Sequence, residues 1–151
     1  MPLKSSLRAM LSSAWLQALC RLVLGGIFIY ASLDKIVHPG EFARIIANYA
    51  ILPDHLVTLP ALVLPWLELI AGLFLVAGIW RRSSALWLSL LLLVFILALG
   101  VNALRGIDVS CGCFSTSAAD TENAWVLILR DLLILIPGLI IVFFGREKKE
   151  N

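Results

Sequence analysis

Two cysteines separated by a single glycine, Cys111-Gly112-Cys113, are the residues of this 151-residue chain best suited to chemistry. A disulfide closing over one residue has little freedom in its dihedral, so it is expected to be strained. Gly112 relieves that in part by reaching backbone angles that other residues avoid. Strained, exposed disulfides are the more readily reduced ones and are more often catalytic. Arg105, a few residues upstream, favours the thiolate form. The chemistry such a pair can perform is thiol–disulfide exchange.

Three other readings stay open for the pair. It can be an inert staple, although so short a loop constrains little unfolded chain and stabilises weakly. It can ligate a metal with His38 and His55, although the spacing matches no metal-binding pattern. It can also remain as free thiols. Cys20, the only other cysteine, lies in the first apolar run. At 1.5 Å of rise per residue it is roughly 20 Å from the far surface, so it reads as a small buried hydrophobe.

A second set of polar residues falls in or beside apolar runs: Asp34, Lys35, Glu68, Asn102, Arg105, Arg130 and Asp131. Ionisable groups inside a membrane are costly and either pair or serve a function. Counted from the apparent starts of their helices, Glu68 and Arg130 lie at depths of roughly 12 and 9 Å, which makes them expected partners. Asp131 points about 100° away from Arg130, so the two are not expected to face one neighbour. Together these residues form a polar cluster expected beneath the cysteine loop. It either fixes helix register or tunes the thiols.

The elements that must position these groups follow from composition. Hydrophobic residues make up 61% of the chain, charged residues only 15%, and the mean hydropathy is +0.98. A soluble domain carries about 25% charged residues. This balance excludes a disordered chain, a nucleic-acid-binding domain and an ordinary cytosolic enzyme. A formal net charge of +2 points to no polyanionic partner. The partner implied is the lipid bilayer.

Crossing about 30 Å of hydrocarbon takes roughly 20 apolar residues in a helix. Four segments qualify, at about 14–33, 59–80, 85–104 and 124–144. The expected fold is an all-α membrane protein, a bundle of four transmembrane helices in a single domain over 1–151. The first run follows Lys4 and Arg8 as in a signal peptide, but it contains Arg21 and lacks a small-residue cleavage site, so it is expected to stay as an anchor. Pro60 is expected in the first turn of the second span, and Pro65 inside it.

Basic residues set the orientation. Lys4, Arg8, Arg81, Arg82, Arg146, Lys148 and Lys149 fall on one side; the other holds Lys35, Arg44 and Arg105 among several acids. Both termini are therefore expected in the cytoplasm. The connections at 34–58 and 105–123 then face outward, to the periplasm where the host has one, and a disulfide persists there. In the first of these, Phe42, Ile45, Ile46 and Tyr49 recur at helical spacing, opposite Glu41, Arg44 and Asn48. That pattern predicts a short amphipathic helix at the outer interface, or a plain cap over the bundle. Arg21, deep in the first span, is expected to snorkel toward cytoplasmic headgroups.

The chain also resembles the MauE (methylamine utilisation) branch of the DoxX-like four-helix membrane proteins. The resemblance runs through Arg21-Leu-Val-Leu-Gly25-Gly-Ile-Phe28, Ala31-Ser-Leu-Asp34-Lys35-Ile36, and Phe42 with Tyr49 before Leu52-Pro53. It continues in Pro65-Trp66-Leu-Glu68 with Gly72-Leu73, Arg105-Gly106, Cys111-Gly-Cys113-Phe114 and Leu129-Arg130-Asp131. It implies a multi-pass protein of the bacterial plasma membrane, associated with methylamine metabolism. Such proteins are associated with disulfide formation in an exported dehydrogenase subunit, beside a thioredoxin-like partner. Relatives in the wider group imply thiol oxidation and quinone as a cofactor. Ser115 departs from the glycine expected after Cys-Gly-Cys-Phe.

The leading expectation is a membrane thiol–disulfide helper with catalytic Cys111 and Cys113 and an exported thioredoxin-like partner. A non-enzymatic subunit or scaffold of a redox complex is the alternative, and a small-solute or metal carrier a third. A self-contained relay to quinone needs a second cysteine pair or direct quinone contact, and only Cys20 remains.

Overall fold

The computed structural model describes residues 12–49, 53–106 and 124–145. Among these residues there are five helices: α1 (Ala14–Val37), α2 (Pro39–Asn48), α3 (Asp54–Ala77), α4 (Arg81–Leu104) and α5 (Ala124–Phe144). The four long ones are each apolar and long enough to cross a bilayer, and α2 is the short amphipathic helix of the first connection. The spans lie where composition put them, although α3 ends three residues and α4 begins four residues before the expected bounds, and two further shifts fall at the plug end. α1 runs on to Val37, and α3 begins at Asp54, five residues before the expected start.

Proline chemistry accounts for both boundaries. A residue preceding proline is disfavoured in the α region, and His38, before Pro39, has φ −120° and ψ 58°. Its N–H still bonds back to the Asp34 carbonyl at 3.0 Å, so α1 ends there and Pro39 opens α2 at a position where its missing N–H costs nothing. Pro53 has an extended backbone before α3, and its carbonyl accepts the first bond, from Leu56, at 2.8 Å. Pro60 therefore lies inside α3 and not in its first turn, as does Pro65.

The lower core joins all four long helices through Leu24, Phe28, Leu75, Leu88, Leu92 and Ile141. Large apolar side chains such as Leu22, Leu62, Leu90, Leu133 and Phe143 face outward. Lipid tails are as apolar as leucine, so close backbone approach drives helix pairing here. α1 and α3 meet at Gly25 and Gly72: a Cβ on Gly72 would sit 3.1 Å from Ile29 Cγ1 and 3.2 Å from the Gly25 carbonyl oxygen. At the α4–α5 contact, Ser89 Oγ occupies the space a side chain on Gly138 would need.

Buried helix ends need partners for their last carbonyls. Gly78, at φ +81°, closes α3. Its N–H bonds the Leu75 carbonyl at 3.2 Å, and that of Ile79 bonds Phe74 at 2.9 Å, which is a Schellman closure. Arg21 completes it from α1, donating from Nε to Leu75 O and from Nη2 to Val76 O, both at 2.9 Å. The arginine expected to snorkel toward headgroups thus also serves as an interhelical cap, because acceptor carbonyls lie within hydrogen-bonding distance. At the same end Arg82 Nε donates to Val142 O of α5 at 3.0 Å.

The amphipathic face of α2 is directed into the protein. Phe42 and Ile46 pack on Val57 and Ala61 of α3, while Ile45 and Tyr49 pack with Leu99 of α4 and Leu127 of α5. Phe42 is fully buried. The expected short helix of the first connection is therefore present and also caps the bundle: α2 plugs the mouth between α3, α4 and α5.

The Gly25–Gly72 crossing yields a direct test. Gly72→Leu is expected to lower stability in detergent by about 1–3 kcal/mol through overpacking. Gly26→Leu, at a position with nothing within 4 Å, is expected to be neutral. Thermal aggregation midpoints of the two variants against wild type measure the difference.

Candidate functional site

Beneath the α2 plug, Lys35 in the last turn of α1 meets Glu68 of α3. Lys35 Nζ lies 3.0 Å from Glu68 Oε1 and 2.7 Å from Oε2, so both carboxylate oxygens accept from one ammonium. The side chains are 2% and 0% exposed. Two aromatic rings complete the surroundings: Nζ lies 5.0 Å from the Phe42 centroid and 5.3 Å from that of Phe95. Both distances suit cation–π attraction. The ammonium thus joins α1, α2, α3 and α4 at one point.

A small cavity adjoins the pair, with Phe28, Ala31, Leu92, Phe95 and Ile134 as apolar walls and the two charged groups as its polar floor. Its size is on the order of a single water molecule. A buried ammonium–carboxylate pair repays its desolvation only with good geometry. Here the two oxygens and two rings supply it. Chemically, the arrangement is a polar lock in an apolar interior.

The expected Glu68–Arg130 partnership does not form. The error lies in the start of α3: from Asp54, Glu68 is fourteen residues into the helix, about 21 Å along its axis. The first turns of α3 pack against α2, and Glu68 meets Lys35 in the last turn of α1. Arg130 instead turns round its own helix to Asp131, with Nε and Nη2 each 3.2 Å from Oδ1. Asp131 is fully buried and Arg130 about one-third exposed.

The remaining cluster residues are spread along the mouth. Asn102 is fully buried on α4; its Nδ2 donates to the Ala98 carbonyl at 3.2 Å, and its Oδ1 has no partner. Asp34 Oδ1 lies 3.5 Å from His38 Nδ1 at the partly exposed end of α1. Arg105 is exposed and closes α4 through its backbone N–H to Val101 and Asn102 carbonyls, at 3.1 Å each. One pair, Lys35 with Glu68, is brought to the centre. In the sequence Phe42 stands out only as part of the apolar face of α2 and of the family resemblance, and Phe95 only as an apolar residue of a span; neither signals a contact with Lys35.

Cys111 and Cys113 lie outside the described residues, as does the connection that carries them. Cys20 is a free, buried thiol, as expected of a core hydrophobe. Among the described residues no group of three or more His, Cys, Asp or Glu side chains is arranged to hold a metal.

Four apolar spans, a plug helix and one buried ion pair define a multi-pass α-helical membrane protein whose polar centre is held inside the bundle. The chain belongs to the family described as methylamine utilisation protein MauE, whose model matches residues 13–144. A methylamine utilization protein MauE of Paracoccus denitrificans is 36% identical over 122 residues, covering 80% of this chain and 65% of the relative. Proteins of the same name from Methylorubrum extorquens and Methylophilus methylotrophus are 31% and 32% identical. The chain spans 65%, 59% and 55% of the length of these three relatives. No solved structure matches the chain.

Removing one member of the buried pair leaves the other uncompensated, at a cost of about 3–5 kcal/mol. Lys35→Met and Glu68→Leu are each expected to destabilise by that order. The double variant is expected to lie well above the sum of the two. Denaturation midpoints in one detergent, arranged as a double-mutant cycle, measure the coupling.

Proposed function

We propose that this protein is a membrane-embedded thiol–disulfide helper that exchanges through Cys111 and Cys113 with an exported, thioredoxin-like protein during maturation of other exported proteins. The observation that carries the reading is the Cys111-Gly112-Cys113 spacing in the connection between α4 and α5. By helix order that connection shares an end of the bundle with the α2 plug. The basic-residue bias assigns this end to the outside of the bacterial plasma membrane and both termini to the cytoplasm. Methylamine utilisation, named in the MauE relatives, is the setting in which the exported target would be found.

The step balances as follows. A thiolate of the partner dithiol attacks the Cys111–Cys113 disulfide and displaces one sulfur as a thiolate, forming a mixed disulfide. The partner's second thiolate resolves it, so the partner is oxidised to a disulfide and the pair here is reduced by two electrons and two protons. Reoxidation needs an acceptor, either a second exported disulfide protein or a membrane quinone. This sequence carries only Cys20 besides the pair, so it offers no second cysteine pair for a relay, which favours direct contact with the acceptor or a role within a complex. In this reading Asp34, Lys35, Glu68, Asn102, Arg105, Arg130 and Asp131 supply polar support at this end of the bundle, with the Lys35–Glu68 pair at its centre.

The test is covalent trapping. Exchange is reversible, so a loop left with only the cysteine that bonds the partner attacks the partner's disulfide. With Cys111→Ser or Cys113→Ser removing the thiol that would resolve the product, the partner is expected to be held as a reductant-sensitive adduct on a non-reducing gel. The other replacement abolishes the adduct, and Cys20→Ser leaves wild-type behaviour. If neither loop variant traps a protein and both retain full function, exchange is wrong and a scaffold role takes its place.

Orientation is tested separately. A compartment-specific reporter fused after Asn151 is expected to be active only in the cytoplasm, and one inserted at Ala118 only outside. The reverse pattern would move the cysteines into a reducing compartment and remove the support for exchange.

A further inference from the structure

At the end of the bundle opposite the plug, α3 turns into α4 through Gly78, Ile79 and Trp80. Arg21 and Arg81 flank this turn. A Cβ placed on Gly78 would lie 2.6 Å from Arg21 Nη2 and 3.3 Å from Arg81 Nε, so two guanidinium groups crowd one glycine. Each is anchored by the backbone: Arg21 by the Leu75 and Val76 carbonyls, and Arg81 by a 3.0 Å bond from Nε to the Gly78 carbonyl. A guanidinium carries five N–H donors. The remaining donors of both arginines have no acceptor among the described residues.

The like charges are also unbalanced. The acids among the described residues, Asp34, Glu41, Asp54, Glu68 and Asp131, belong to the plug end or to the bundle interior. Arg82 adds a third cation beside the turn.

The turn lies at headgroup depth. Trp80 and Trp15, 70% and 81% exposed, sit at this end of their spans, where amphipathic rings mark the membrane–water boundary. Trp80 holds a left-handed backbone at φ 44°, with its ring edge-on to Phe74 at 6.3 Å. The ring contact packs the turn in which Arg81 lies beside Arg21. Leu22 and Ile79, both exposed, offer apolar surface for acyl chains next to the cations.

We propose that Arg21 and Arg81, converging on Gly78, form a binding site for the phosphate headgroup of an anionic phospholipid. The phosphate oxygens accept from the free donors of both guanidinium groups and neutralise their mutual repulsion, while the acyl chains lie along α1 and α3. Basic pockets between helices at the cytoplasmic face recognise acidic headgroups by this chemistry. The bound lipid would then fasten the α1–α3 end that Arg21 already caps.

The test uses the full-length protein purified in detergent, offered equimolar phosphatidylglycerol and phosphatidylcholine, with retained lipid read by native mass spectrometry. The wild type is expected to retain phosphatidylglycerol preferentially. Arg81→Gln, which leaves the Arg21 cap intact, is expected to weaken that retention about fivefold, the usual worth of one cation at a membrane surface. Arg44→Gln, at the plug end, is expected to leave it unchanged. A circular-dichroism melt confirms that each variant is folded. Equal retention of both lipids, an Arg81→Gln protein that binds as wild type does, or an equal loss in Arg44→Gln would overturn the proposal. Displacement of the lipid by millimolar inorganic phosphate would also overturn it, since the site would then read phosphate alone.

Discussion

The contact between Lys35 and Glu68 organises the upper half of this protein. An ammonium and a carboxylate buried in an apolar interior are each expensive alone, so wherever one goes the other must follow. Because Lys35 ends α1 and Glu68 lies in the middle of α3, their union sets the relative height of the two helices. The rings of Phe42 and Phe95 over the ammonium extend that constraint to the plug and to α4. Apolar packing alone tolerates sliding along a helix; a buried charge pair does not.

Below the pair, the bundle is held by interactions that lipid cannot imitate. Gly25 and Gly72 allow α1 and α3 to touch backbone to backbone, and Arg21 ties the same two helices again through the carbonyls that end α3. The ion pair, the glycine crossing and the arginine cap therefore join one helix pair at three depths. α4 and α5 are joined by the Ser89–Gly138 contact and by Arg82 on Val142. The plug closes the mouth shared by both pairs, which is also the end from which the cysteine connection leaves α4 and returns to α5.

The spans were legible because length and composition suffice to recognise a helix in lipid. The plug was legible from the spacing of Phe42, Ile45, Ile46 and Tyr49, but periodicity describes a face and not what covers it. The start of α3 was misplaced because Pro60 was read as a first-turn proline, although Pro53 already occupies the position before the helix. That five-residue error lowered the estimated depth of Glu68 and led to Arg130 as its partner. Lys35 lay just past the assumed end of α1, where a lysine reads as an interfacial charge. Arg21 was visible as an intramembrane cation, but its acceptors, more than fifty residues away, required the tertiary structure. The cysteine motif lies outside the described residues, so its chemistry rests on sequence spacing alone.

The central claim is that an ionised Lys35 and Glu68 are in direct contact inside the folded protein. Magic-angle-spinning NMR of the labelled protein in lipid bilayers addresses this directly through the dipolar coupling between lysine Nζ and glutamate Cδ. The account predicts one strong cross-peak, assigned to Lys35 and Glu68, with the chemical shifts of an ammonium and a carboxylate. It further predicts that the cross-peak is lost in Glu68→Gln. A Glu68 signal coupled to no lysine, or with the shift of a neutral carboxylic acid, would contradict it.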